Sequence, residues 1–115
     1  MTIKREDLRR ADLRSIATGR PIPPAHPGEV LETEFMAPNE LSAEALAVAL
    51  HMAPQRIHDI VRRQRAISPD TALRLARYFG TSAEFWAGLQ AAYALRLARA
   101  AAGPIIERDI QPLTA

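Results

Sequence analysis

Cysteine is absent from this chain, and lysine occurs once, at Lys4. Without thiols there can be no disulfide framework, and a zinc site would have to be assembled from histidines and carboxylates. The three histidines, His26, His51 and His58, show no metal-type spacing. Aromatic residues make up only 5% of the chain. No apolar run approaches the length of a membrane span, and the opening MTIKREDLRR lacks the apolar stretch of a signal peptide. These absences favour a cytoplasmic protein with no membrane association. There is also no convergent Ser/His/Asp set, no paired catalytic carboxylates and no phosphate-cradling glycine loop, so a non-enzymatic protein without a cofactor is expected.

The net charge is only +2 over 115 residues, but its distribution is uneven. Residues 1–20 carry six bases against Glu6, Asp7 and Asp12. Residues 21–50 carry Glu29, Glu32, Glu34, Glu40 and Glu44 and no base at all, while residues 51–65 set Arg56, Arg62, Arg63 and Arg65 against Asp59. Acidic and basic surfaces are therefore segregated, which suits one face for an anion and another for a cation. Codon bias accounts for the general excess of arginine over lysine; bidentate recognition of phosphate or guanine would account for it functionally.

Length allows one domain of 115 residues plus short tails. Residues 1–21 read as a basic N-terminal arm, disordered unless it contacts DNA or a partner, and the prolines of PIPPAHP (21–27) hold an extended linker. The compact domain is expected over residues 22–103, with 104–115 as a tail that, with the last helix, is a candidate dimer contact. Pro27 suits the first position of a helix whose buried residues are Val30, Leu31 and Phe35, and which ends at Pro38-Asn39. Ser42 is a good N-cap for the alanine-rich run 43–50, in which Leu46, Ala47 and Leu50 share a face. Pro54 opens a third helix, Ser68-Pro69-Asp70 a fourth that closes at Gly80, and Thr81-Ser82-Ala83-Glu84 a fifth that Gly103-Pro104 is expected to terminate. Ile105–Ile110 has weak strand character that makes sense only if the segment is paired. The expected class is all-α.

Two short helices joined across about four residues, the second amphipathic with a basic outer face, match the helix-turn-helix pattern. In the second helix Ile57, Ile60 and Val61 point to the core, while Gln55, Arg56, Asp59, Arg62 and Arg63 lie toward the other side. A glutamine amide can pair with adenine and guanidinium forks suit guanine or phosphate. Asp59 can accept from cytosine or orient a neighbouring arginine. Arg62, Arg63 and Arg65, at the helix end and the loop beyond, are assigned mainly to phosphate, and Ser42 to phosphate on the other groove wall. For His58, groove contact, phosphate contact and plain solvent exposure all stand open. A basic helical face alone is usually just solvated surface; the capped helix, tight turn and Pro54 start are what favour double-stranded DNA.

Glu29, Glu32 and Glu34 form an acidic patch, explained either by complementarity to the helix dipole or by a basic protein partner. Phe85, Trp86, Leu89 and Tyr93 of the last helix are candidates for core and dimer packing rather than for a ligand site.

Three runs, PAHPGEVLETEF at 24–35, LSAEALAVAL at 41–50 and AISPDTALRLARYFGTSAEFWAGLQAAYALRLA at 66–98, resemble the HigA-type antitoxins, a branch of the lambda-repressor-like (XRE) helix-turn-helix proteins. The resemblance implies a five-helix repressor-like fold and a homodimer on a palindromic operator in the promoter of its own operon. It also implies neutralisation of a HigB-like toxin of the RelE type, a messenger RNA interferase. Gln55, Arg56 and Asp59 fall on the family's groove-reading positions, and Arg62, Arg63 and Arg65 on its loop and phosphate positions. His51 departs from the small residue common at the turn, and Ala53 from a capping residue. A stand-alone regulator of the same fold, without a toxin, is the alternative reading, and a protein-interaction module that no longer binds DNA is a third.

Overall fold

The computed structural model describes residues 25–114; the expectations for the arm at 1–21 and for a domain start at residue 22 lie outside them. Helix α1 begins at Pro27–Val30 and widens without a break into a π-helical stretch, Leu31–Met36. It is followed by α2 (Ala43–Leu50), α3 (Pro54–Val61), α4 (Pro69–Phe79) and α5 (Ala83–Asp109). The described residues contain no strand.

The helix starts follow from local chemistry. Ser42, Ser68 and Ser82 each accept a hydrogen bond from the backbone N–H three residues on, the N-cap geometry that satisfies an orphan donor. His26 does the same for α1 through Nδ1, which accepts from the Gly28 N–H at 2.9 Å. Ala53 has no capping side chain, so α3 starts on Pro54 alone.

The turns that follow the first four helices share one device. Glu40, His51, Arg63 and Gly80 all adopt positive φ, at 53°, 57°, 63° and 72°. In each case the next N–H reaches five residues back, as in Leu41 to Met36, Met52 to Ala47, Gln64 to Asp59 and Thr81 to Ala76. These are Schellman-type closures, and only one of the four uses the glycine that the left-handed conformation favours.

The core joins all five helices. Leu31 and Phe35 of α1, Leu46 and Leu50 of α2, Ile57 and Ile60 of α3, Leu75 and Phe79 of α4 and Trp86 of α5 are buried together. An aromatic cluster binds the distant ends of the domain: the Phe35 ring centroid lies 5.0 Å from Phe79 and 4.9 Å from Trp86. Trp86 is fully buried, and its Nε1–H donates to Thr81 Oγ1 at 2.8 Å. Offset aromatic pairs of this kind add to the area they bury, by roughly 0.5–1.5 kcal/mol each.

The helix α5 corrects one expectation. Gly103-Pro104 does not end it; the helix passes through Pro104 and continues to Asp109, so Ile105–Asp109 are helical and form no strand. A proline removes one backbone donor and crowds the preceding turn. The alanine run 100–102 before it has high helix propensity, and the ladder resumes beyond, with the Ile110 N–H donating to the Ile106 carbonyl at 2.8 Å.

Candidate nucleic-acid interface

The pair α2 and α3 is joined across His51-Met52-Ala53. Helix α3 is divided as its sequence suggests. Ile57 and Ile60 have no exposed surface and Val61 packs against the core, while Gln55, Arg56, Arg62 and Arg63 are exposed. His58 and Asp59 are half-buried at the border between the two sides.

The outer row is already organised by contacts within the chain. Gln55 Nε2 donates to Asp59 Oδ1 at 2.8 Å, and the other oxygen of Asp59 lies 3.6 Å from Arg65 Nε. Asp59 thus holds a glutamine amide on one side and a guanidinium from the following loop on the other. Arg63 Nη2 lies 3.3 Å from Glu29 Oε2 on α1. The Arg63–Glu29 pair is solvent-exposed, where such a contact contributes about 0–1 kcal/mol and yields readily to a stronger anion, whereas in the Arg65–Asp59 pair the carboxylate is the more buried partner. Arg56 and Arg62 make no ion pair among the described residues.

His58 Nε2 donates to Glu44 Oε2 of α2 at 2.7 Å. That hydrogen bond, with a smaller contribution from the Glu44 backbone, holds the Glu44 carboxyl below its ordinary range. His58 and Ser42 line one shallow groove with Glu32, Met36 and Leu41, so the start of α2 and the middle of α3 share a surface. Ser42 Oγ accepts from the Ala45 N–H at 3.0 Å, which leaves its hydroxyl proton available to an acceptor outside the chain.

The acidic residues of α1 divide. Glu29 and Glu32 are exposed, Glu29 being the partner of Arg63, while Glu34 is half-buried. The four aromatic and aliphatic candidates on α5 also divide. Trp86 is enclosed by this chain's own core, and Phe85 and Leu89 are partly buried against it. Tyr93 and His26 meet edge to face, ring centroids 4.8 Å apart, and the Arg96 guanidinium lies 5.7 Å from the Tyr93 ring centroid. The large exposed apolar residues of α5 and its continuation lie beyond them, at Leu95, Leu97, Ile105, Ile106, Ile110 and Leu113.

Two residues that sequence reasoning passed over help to position α3. Gly28 of α1 packs against the carbonyl of Ile60, and Arg74 of α4 hydrogen-bonds the last carbonyls of α2. Neither has a local signal: only the pairing of Arg74 with Asp70, four residues earlier, is legible in sequence.

Known proteins share this fold. The helix-turn-helix family model matches residues 34–86. Virulence-associated protein I of Dichelobacter nodosus is 54% identical over 85 residues, which is 73% of this chain and 79% of that protein. The solved antitoxin HigA of Pseudomonas aeruginosa, determined with the higBA promoter, is 52% identical with a TM-score of 0.77, covering 79% of this chain and 99% of that one. This chain belongs to the HigA family of helix-turn-helix antitoxins. A further structure, antitoxin GraA in complex with its operator, is 41% identical to this HigA-family chain at a TM-score of 0.77, over 82% of this chain and 95% of that one. Among the described residues of this antitoxin-family protein, no helix is long and apolar enough to cross a membrane, and no group of three or more His, Asp or Glu could hold a metal ion.

Proposed function

We propose that the chain binds double-stranded operator DNA as a homodimer, represses its own operon and neutralises a RelE-like messenger RNA interferase toxin. The observation that carries the DNA reading is the division of α3, with Ile57 and Ile60 locked in the core, Gln55 and Arg56 exposed, Asp59 at the border between the two, and Arg62 and Arg63 exposed where the helix ends. In this reading α3 enters the major groove. Gln55 and Arg56 meet base edges, with Asp59 orienting Gln55 or accepting from cytosine, and Arg62, Arg63, Arg65 and Ser42 hold phosphates on the two walls. His58 lies at the same edge and releases Glu44 when it turns to phosphate. The antitoxin HigA and antitoxin GraA relatives, solved with a promoter and an operator respectively, support the reading.

A two-fold dimer presents two copies of α3 about 34 Å apart, one turn of DNA. The exposed apolar residues of the second half of α5, half-exposed in the case of Leu95, Ile105 and Ile106, are the surface we assign to the second copy. Glu29, Glu32 and Glu34 are the surface we assign to a basic toxin. A toxin that takes Glu29 would also free Arg63 for phosphate, since the two are paired.

The test has two arms. Titration of the purified protein onto a duplex from the promoter upstream of its gene, at several salt concentrations, should give salt-sensitive binding that prefers this sequence to a scrambled duplex; equal binding to both sinks the operator reading. Co-expression with the product of a small adjacent reading frame should abolish that product's toxicity, and Glu29→Arg with Glu32→Arg should restore it. A toxicity that persists in the presence of the wild-type chain contradicts the antitoxin reading and leaves a stand-alone regulator.

A further inference from the structure

We propose that Arg74 is a positioning residue for DNA reading: it fixes the helix-turn-helix by clamping the end of α2 to α4. This rests on the reading that α3 enters the groove.

The turn needs an external support. Helix α2 has eight residues, too few to persist alone. Its last turn leaves carbonyls without helical partners, its closing residue His51 stands in the left-handed region at φ 57° and ψ 48°, and Ala53, at the N-cap of the next helix, has no side chain to cap it. Pro54 holds Ala53 extended, so His51, in a conformation its side chain disfavours, and Met52 are the residues that leave the placement of α3 relative to α2 least fixed by local preference.

Arg74 supplies the missing support from outside the motif. Its Nη1 donates to the Leu50 carbonyl at 2.9 Å and to the His51 carbonyl at 3.0 Å, one on each side of the left-handed residue's peptide. Its Nε donates to Asp70 Oδ2 at 2.9 Å, which fixes the guanidinium plane. Asp70 is in the first turn of α4, whose Ala72, Leu75 and Ala76 are buried in the common core. The chain of contacts runs from the core through α4 to the two carbonyls at the turn. A planar fork with several fixed donors suits this bridging; a flexible ammonium fits it less well. Base readout by hydrogen bonds depends on both helices holding one relative placement, whereas phosphate attraction tolerates displacement.

The experiment compares wild type with Arg74→Ala, Arg74→Lys and Asp70→Asn. For each, affinity is measured for a promoter duplex and for a scrambled duplex of equal length at several salt concentrations, with thermal melting of the same samples. Arg74→Ala should lose about tenfold or more of the preference for the promoter duplex, the scale of one lost base contact, with affinity for the scrambled duplex and the salt slope unchanged. Arg74→Lys and Asp70→Asn, which fold more securely and retain part of the clamp, should fall between. If both duplexes weaken equally and the slope drops by about 0.9, Arg74 is a phosphate contact and the proposal is overturned. If folded variants keep the full preference, the clamp serves stability alone and the proposal is again overturned. If wild type itself shows no preference, the DNA reading fails together with it.

Discussion

Gly28 lies so close to the reading helix that a β-carbon added to it would fall 1.8 Å from the carbonyl oxygen of Ile60. The same carbonyl accepts the Arg63 N–H at 3.0 Å in the closure of α3. The first turn of α1 is thus seated on the last turn of the helix that carries the DNA-facing row.

Gly28→Ala should therefore be among the most damaging single-methyl additions in the chain. Backbone cannot move aside as a flexible side chain can, so a loss of roughly 2–4 kcal/mol is expected. Chemical denaturation measures it. A variant as stable as wild type would contradict the close seating of α1 on α3.

His26 should set an acid limit to stability. Its ring is buried, accepts the Gly28 N–H through Nδ1 and packs on Tyr93. Burial, and then the charge of Arg63, hold its pKa below the ordinary histidine value of 6.5, with Glu29 acting weakly the other way. The unfolded chain then binds a proton more readily than the folded one, so stability rises with pH through this window. The contribution is complete above about pH 6.5 and is lost as pH falls from there toward the lowered folded value. His26→Asn, which keeps a capping acceptor, should flatten the pH dependence of melting temperature in that window. The Glu44 carboxyl, also lowered by its hydrogen bond from His58, contributes stability that is lost only in the more acidic carboxylate range.

His51→Gly should stabilise the fold. His51 occupies φ 57°, where an L-residue with a β-carbon is disfavoured by about 1–2 kcal/mol and the entropy of a free glycine returns about half of that, leaving roughly 0.5–1 kcal/mol. Gly80→Ala is the mirror test: no atom lies within 4 Å of an added β-carbon, so its cost, about 1 kcal/mol, is purely that of φ 72°. Melting temperatures of the two variants should move in opposite directions. A lower melting temperature for His51→Gly would show that the imidazole contributes more than its backbone conformation costs.

The second half of α5 should carry the dimer contact. Ile105→Asp with Ile106→Asp should raise the dimer dissociation constant by about tenfold or more in analytical ultracentrifugation, since charges at the centre of an apolar contact are strongly disfavoured. Removing residues 104–115 should do the same. An unchanged dimer in both would exclude that end of the helix from the interface.

The parts of this architecture that sequence exposes are those set by neighbours in the chain. Serine before an apolar-periodic run marked three N-caps, Pro54 and Pro69 marked two helix starts, and the spacing of Ile57 and Ile60 against Gln55 and Arg56 divided α3. The parts it concealed depend on contacts across the fold. Nothing near His26 announces that its ring caps α1 while lying under Tyr93, and nothing near Arg74 announces two carbonyls 23 and 24 residues earlier. Pro104 misled for a different reason. A proline is a local breaker, but one missing donor does not outweigh the high propensity of the alanines before it and the resumed ladder after it. Trp86 is legible as a packing residue but not as to which packing, core or dimer; the nearby rings of Phe35, Phe79 and Phe85 put it in the core of its own chain.

Selection from a random duplex library tests most directly the claim that the outer row of α3 reads sequence. The wild-type chain should enrich a two-fold symmetric sequence. Gln55→Ala should relax one position in each half-site, and Arg63→Ala should select the same sequence with weaker retention. If Gln55→Ala selects the wild-type sequence unchanged, or the wild-type chain enriches nothing, the account of α3 as the reading helix is wrong.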